Sequence, residues 1–418
     1  MTGLIIAAML AILVWSLLSD RLRRWQISGP VSMVALGLVA GFAVSGELVA
    51  GLNTDLAERS VELILAVILF VDATEVRGGF LAGERGIVAR LLGIALPLSL
   101  VLAVLCGIPL LGGSSLQVVL IVALVVMPVD FAPAGELLRD SRVPRRLRHS
   151  LTVESGYADA IRSPLFAVAL IAASAPTQQQ SLLDVVEHAI PEIGFAVLVG
   201  AGTGLLAGVL ARASVARGWA STHGVRLGTA LLPIIVYGGA TALHGNGFLA
   251  AFLAGIAYKS ARVGRAPSGD EVMREEVSLL DEIGVLSSLV MWFVFGAAAV
   301  LVFLAPLDWA ALLYGLLALT LLRVVPVLLA LLGSRSTGRD RVTLGVLGPR
   351  GTSTIMFGLL AFNALDDDSA STVLYVMVVT VLGSVLLHGV LGSRLVPALG
   401  WRSAPPRARP ATVGEEPA

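Results

Sequence analysis

The stretch from Met127 to Phe166 places Asp130, Glu154, Asp159 and Arg162 inside or beside apolar runs long enough to cross a bilayer. An ionisable group at membrane depth costs at least about 2.5–3.5 kcal/mol to insert, so a chain carrying several of them has a use for them. Asp130 lies between Pro128 and Pro133, where a proline-broken helix frees backbone carbonyls beside the carboxylate. Ser155 and Asp159 share one face of a helix, with Glu154 and Ala158 a step round. Carboxylates with hydroxyl and carbonyl oxygens suit a hard monovalent cation such as sodium, and the same carboxylates can take protons instead. Competition of the two for one site is the simplest chemistry open to this set. The plainer role for Asp130 is to cap a broken helix.

Membrane helices must position these groups. The chain has 418 residues, of which 56% are hydrophobic and only 14% charged, and its mean hydropathy of +0.89 excludes ordinary soluble domains. Its 29 basic and 29 acidic residues cancel, and no basic or aromatic-rich motif points to a nucleic-acid partner. Cys106 is the one cysteine, which leaves no intramolecular disulfide framework or thiolate cluster. Five scattered histidines lack ligand spacing for a transition metal. No assembled nucleophile or cofactor motif is present, so neither an enzyme nor a resident cofactor is expected.

Spans of roughly 20 apolar residues cross the hydrocarbon core as helices, and about thirteen candidates occur when short or broken ones are allowed. They are Thr2–Ser19, Gly29–Gly46, Ser60–Val76, Gly86–Leu111, Leu116–Leu138, Leu147–Ala175 and Val185–Ala211, then Val225–Leu243, Gly247–Lys259, Val277–Leu304, Trp309–Leu332, Val342–Ala364 and Ser371–Val396. The run Leu4–Leu18 lacks a preceding basic stretch and a cleavage site, and reads as a retained first helix. Asp20 and its neighbouring arginines read as a solvated loop. Basic residues collect in alternate loops, for example Arg139, Arg142, Arg145, Arg146 and Arg148 after the fifth span, while the intervening loops are neutral or acidic, with Asp366, Asp367 and Asp368. Cytoplasmic loops are enriched in Lys and Arg, so the N-terminus is expected outside the plasma (inner) membrane and the C-terminus in the cytoplasm. Residues 1–403 are expected to form one transmembrane domain with a basic cytoplasmic loop at 138–147. The Pro-, Ala- and Arg-rich segment 404–418 reads as a disordered cytoplasmic tail.

Two spans carry matching defects, Pro128 and Pro133 in the fifth and Gly348-Pro349-Arg350-Gly351 in the twelfth. Paired interruptions in the two halves point to inverted repeats with a site between crossing broken helices. The expected fold is therefore an all-α polytopic membrane protein.

The ordered motifs carry a resemblance. Pro128-Val129-Asp130, Val143-Pro144 and Glu154-Ser155-Gly156-Tyr157-Ala158-Asp159 resemble the signature of the cation:proton antiporter family, which includes prokaryotic sodium/proton antiporters and the eukaryotic sodium/hydrogen exchangers. The two aspartates stand 29 positions apart, as in the family. Leu69–Val76, Gly245–Tyr258, Phe293–Ala298, Leu321–Val327, Gly348–Phe357 and Ser384–Gly389 extend the likeness over nearly the whole chain.

The resemblance implies a secondary transporter exchanging a monovalent cation, sodium first and lithium or potassium as alternatives, for protons. By position it implies cation and proton binding by Asp130, Asp159 and Ser155, help from the Val129 carbonyl, and distant assistance from Asp72. It further implies a structural ion pair of Glu154 with Arg323, a role for Arg350 in balancing half-helix ends, and a homodimer in the bilayer. Three departures bear on the site. Val129 replaces the family's threonine, Ala158 replaces its asparagine, and Arg162 stands one turn after Asp159 where the family is usually apolar. With one carboxylate at Ala158-Asp159, the resemblance implies electroneutral exchange. Arg162 could pair with Asp159 and compete with the cation, or turn toward the cytoplasmic mouth or pair with another acid and leave the site open. If it locks the site, the chain would instead be a non-transporting sensor, or a transporter of an organic or anionic substrate.

Overall fold

The computed structural model describes residues 2–25, 27–43, 55–75, 85–174, 182–264 and 269–401. Arg77, Glu47 and the expected tail 404–418 lie outside the described residues. A helix or a pair of half-helices stands at every expected span, and no strand occurs among the described residues.

In chain order the helices are α1 (Thr2–Arg24), α2 (Gly29–Ala43), α3 (Asp55–Glu75), α4 (Arg85–Leu110), α5 (Leu116–Val126), α6 (Arg145–Ser174), α7 (Leu182–Ala216) and α8 (Thr222–Ala242). Then come α9 (Gly247–Arg262), α10 (Gly269–Leu304), α11 (Trp309–Ala330), α12 (Gly338–Val346), α13 (Thr352–Ala364), α14 (Asp367–Val390) and the short α15 (Gly392–Ala398). By length and composition, α1, α4, α7, α8, α10, α11 and α14 can cross a membrane; α2, α5 and α13 are apolar but shorter. Polar side chains mark where helices begin. Ser115, Ser221, Asn246, Asp308 and Asp366 each accept a hydrogen bond from a backbone N–H of the first turn, and Thr337 with Asp340 forms a reciprocal capping box on α12.

Two bundles result. In one, α2 packs along α10 and α7 along α9, with α1, α3 and α8 beside them. Small residues let these backbones touch: a Cβ on Gly200 or Gly204 would stand 2.4 and 2.5 Å from the carbonyl oxygens of Ala250 and Ala254, and one on Gly37 would stand 2.1 Å from that of Phe293. We call this bundle the frame. The other, the core, joins α4, α5, α6, α11, α12, α13 and α14. The core and frame meet through α6 on α9 and α13 on α3 and α10.

The core holds the broken helices. Helix α5 stops at Val126 just before Pro128, and the chain runs through non-helical backbone and a single 3-10 turn at Ala132–Ala134 into the short helix Gly135–Arg139. Helices α12 and α13 flank the non-helical residues 348–351. The connection to α6 is pinned by Asp140, whose carboxylate accepts from the Arg142 guanidinium, a bond that holds Asp140 below the usual carboxylate range. Arg148 also donates to the carbonyls of Leu138 and Val143, closing the basic loop on itself.

Three local expectations need correction. The arginines after the first span are not in a loop: α1 continues through Arg24. Helix α10 starts at Gly269, about two turns before the apolar run, because Asp270 and Glu271 favour a helix N-terminus. Helix α11 is interrupted at Thr320 (φ −118°, ψ −98°). The Thr320 hydroxyl bonds back to the Leu316 carbonyl, and the Ala318 carbonyl accepts from Arg350.

Candidate functional site

The two interrupted helices meet backbone to backbone, the Asp130 N–H donating to the Pro349 carbonyl at 2.9 Å. The crossing requires glycine at 351, where a Cβ would lie 2.7 Å from both the Asp130 carboxyl carbon and Pro133 Cδ. The charges at the crossing follow the helix ends. The Asp130 carboxylate accepts from the backbone N–H and hydroxyl of Ser353 at 2.7 and 2.9 Å, which places a negative group on the positive N-terminus of α13. Arg350 does the converse. Its fully buried guanidinium donates to the carbonyls of Val126, Gly348, Pro349 and Ala318, gathering the negative ends of α5, α12 and the first half of α11. The Arg350 N–H in turn donates to Ser384 at 2.7 Å, and His388 bonds the Val346 carbonyl at 2.9 Å through Nε2, tying α14 to the same break.

Helix α6 runs past this crossing. Ser155 donates to the Val129 carbonyl at 3.1 Å, so two of the sequence-derived cation ligands touch each other. One turn on, Asp159 is buried and accepts from the Arg162 guanidinium. Arg162 is buried too; it reaches the Val125 carbonyl at 3.4 Å and lies 4.1 Å over the ring of Phe357. Of the arrangements open to Arg162, the structure has the pairing with Asp159. Ala158 is buried and brings no polar atom. Glu154 faces the other way, bonded bidentately to Arg323 at 2.5 and 2.9 Å with both side chains buried.

A cavity of about 1630 Å³ between core and frame leads to the site. Asp130, Ser155 and Asp159 stand in its wall, with Asp72 opposite them on α3. Arg145, Arg146 and Lys259 line its mouth. Lys259 bridges the Thr74 carbonyl and Asp270, and Arg146 pairs with the buried Asp340 at 2.5 Å. Sequence reasoning brought Asp130, Asp159, Ser155 and Val129 together but missed Ser353, Ser288 and Trp292. The last two bond the Thr352 hydroxyl at 2.8 and 3.1 Å, across the core and frame boundary. The run Thr352-Ser353-Thr354 directly after Gly351 has the composition of a helix start and was the available signal.

The profile of the transmembrane sodium/hydrogen exchanger family matches residues 5–397. The chain belongs to the sodium/hydrogen exchanger family. The sodium proton antiporter of Methanocaldococcus jannaschii, solved at pH 8, superposes with a TM-score of 0.75 at 19% identity, covering 95% of this chain and 99% of that one. An electron-microscopy map of the same archaeal antiporter gives 0.71, again at 19% identity, over 97% and 99% of the two chains. The fold and family of this sodium/hydrogen exchanger relative are those of a multi-pass membrane transporter rather than an enzyme, and its class of activity is cation/proton exchange.

Proposed function

We propose that the chain exchanges sodium for protons across the plasma membrane at Asp130 and Asp159, electroneutrally, with Ser155 and the Val129 carbonyl completing the cation's oxygen shell. The observation that carries this is the charged cavity ending on both carboxylates where two half-helices cross. In this proposal residues 1–403 act as one transporting domain, the basic loop 138–147 and the tail face the cytoplasm, and two copies associate in the bilayer. Asp72 assists from the opposite wall, and no resident cofactor takes part.

The pairing of Asp159 with Arg162 adds a step. A guanidinium bonded to Asp159 is a tethered cation, so an arriving sodium ion must take the carboxylate from it, leaving the guanidinium with the Val125 carbonyl and the Phe357 ring that it already touches. The same pairing favours a second reading, in which the fold is kept but Arg162 locks the site and the protein senses rather than transports.

With one carboxylate at Ala158-Asp159, each turnover moves one cation against one proton. A potential-sensitive dye in proteoliposomes is expected to report no net charge movement while a pH dye reports exchange. A potential that builds with the sodium gradient, under conditions where leak is controlled, contradicts electroneutrality.

A further inference from the structure

Ser288 and Trp292 stand one turn apart on α10, so their side chains leave the same face of that helix. Both end on one atom. The Thr352 hydroxyl shares a hydrogen bond with Ser288 at 2.8 Å and accepts the indole N–H of Trp292 at 3.1 Å. Trp292 and Thr352 are buried, and Ser288 and Thr352 stand in the cavity wall with Asp130 and Asp159. The support behind them is fixed: α10 lies on α2 with backbones in contact, so a Cβ on Gly41 would strike the Ala297 carbonyl and one on Gly296 the Val34 carbonyl. Thr352 is the first residue of α13, between Gly351 at the crossing and Ser353, whose N–H and hydroxyl hold Asp130. A contact from the frame therefore bears on the helix start that grips one of the two site carboxylates.

The partners in this contact belong to different bundles. A hydrogen bond is lost beyond about 3.5 Å, so a shift of core against frame by about an ångström parts Thr352 from Ser288 and Trp292. A second bond has the same character. Ser163 of the core, one turn past Asp159 on α6, donates to the Asn246 side chain at the start of α9 in the frame at 3.0 Å, with both residues buried. We propose that Ser288 and Trp292 are positioning residues for exchange: through Thr352 they hold the first turn of α13, and Asp130 with it, in the orientation that opens the cavity. The assignment rests on the exchange reading, in which the cavity mouth at Arg145, Arg146 and Lys259 faces the cytoplasm and the two carboxylates must face each side in turn. The Thr352 tie parts each time they turn outward, so its strength sets how the protein divides its time between the two faces.

Trp292→Phe keeps a buried ring and removes the N–H, and Ser288→Ala removes the other bond from the cavity side, where a loss of folding is least expected. Thiol accessibility reads the tie without transport. Cys106→Ala takes away the one native thiol, and Gly156→Cys adds one in the cavity wall, where a new Cβ has nothing within 4 Å. On this background a membrane-impermeant maleimide is applied to everted and to right-side-out vesicles. Each tie variant is expected to label about fivefold faster from the outer face and more slowly from the cytoplasmic face, the population shift that follows from losing one hydrogen bond. Thr352→Ser keeps the hydroxyl and is expected to label like the background. In sodium-driven exchange the same variants raise the KM at the cytoplasmic face and lower it at the outer face. A tie that only stiffens the fold would move labelling from both faces in the same direction; that result, or labelling unchanged in both variants, overturns the proposal. A wild type that does not exchange sodium for protons overturns the exchange reading instead, and the labelling then decides the tie by itself.

Discussion

Arg323→Leu is expected to destabilise the protein by about 3–5 kcal/mol, because it leaves the buried Glu154 carboxylate without its counter-charge. The loss is mechanical as well as electrostatic. Arg323 joins α11 to α6 through Glu154, and it reaches the Leu344 carbonyl of α12 at 3.4 Å. Removing both charges is a different matter. Replacing a buried pair by apolar side chains of similar volume is often neutral or better, so Glu154→Leu with Arg323→Leu is expected to recover most of the stability. Thermal melting of the detergent-solubilised protein checks both. A single variant that melts with the wild type, or a double variant no better than the single, contradicts the pair as the tie between α6 and α11.

The second large effect belongs to Arg350. Arg350→Met removes a guanidinium that satisfies four carbonyls drawn from three helix ends, and each buried polar group left without a partner costs about 1–3 kcal/mol. Marginal stability cannot absorb several such losses, so little folded protein is expected. Arg350→Lys supplies a point charge with three donors but lacks the planar fork, and is expected to fall between the two. The yield of monodisperse protein on size exclusion and the melting temperature should rank wild type, Lys and Met in that order. A Met variant as abundant and as stable as the wild type would show that the crossing does not depend on this side chain.

Much of this architecture was legible from residues alone. Apolar length and the alternation of arginines located the spans, and Pro128, Pro133 and the Gly348–Gly351 run located the breaks, because proline removes a donor that a continuous helix needs. What depended on distant partners was not legible. The interruption at Thr320 follows from Arg350 taking the Ala318 carbonyl, and nothing near Thr320 in sequence announces it. Ser353 serves Asp130 only because the half-helices cross, and Arg146 finds Asp340 because α6 and α12 begin side by side. Arg162 could have turned either way by sequence. The Phe357 ring and the Val125 carbonyl give it an inward home, and both are contributed by other helices. The pairing of Glu154 with Arg323 came from the family resemblance, not from spacing, since the two residues are far apart in the chain.

In the proposed exchange Asp159 carries cation and proton, and Arg162 competes for it without locking it. Proton/cation exchange in proteoliposomes, scanning sodium, lithium and potassium across pH for the wild type, Asp159→Asn and Arg162→Ala, tests it most directly. Exchange is expected in the wild type, none in Asp159→Asn, and exchange in Arg162→Ala with a lower KM for the cation because the tethered competitor is gone. A silent wild type whose activity appears only in Arg162→Ala, or an Asp159→Asn variant that exchanges as well as the wild type, would contradict it.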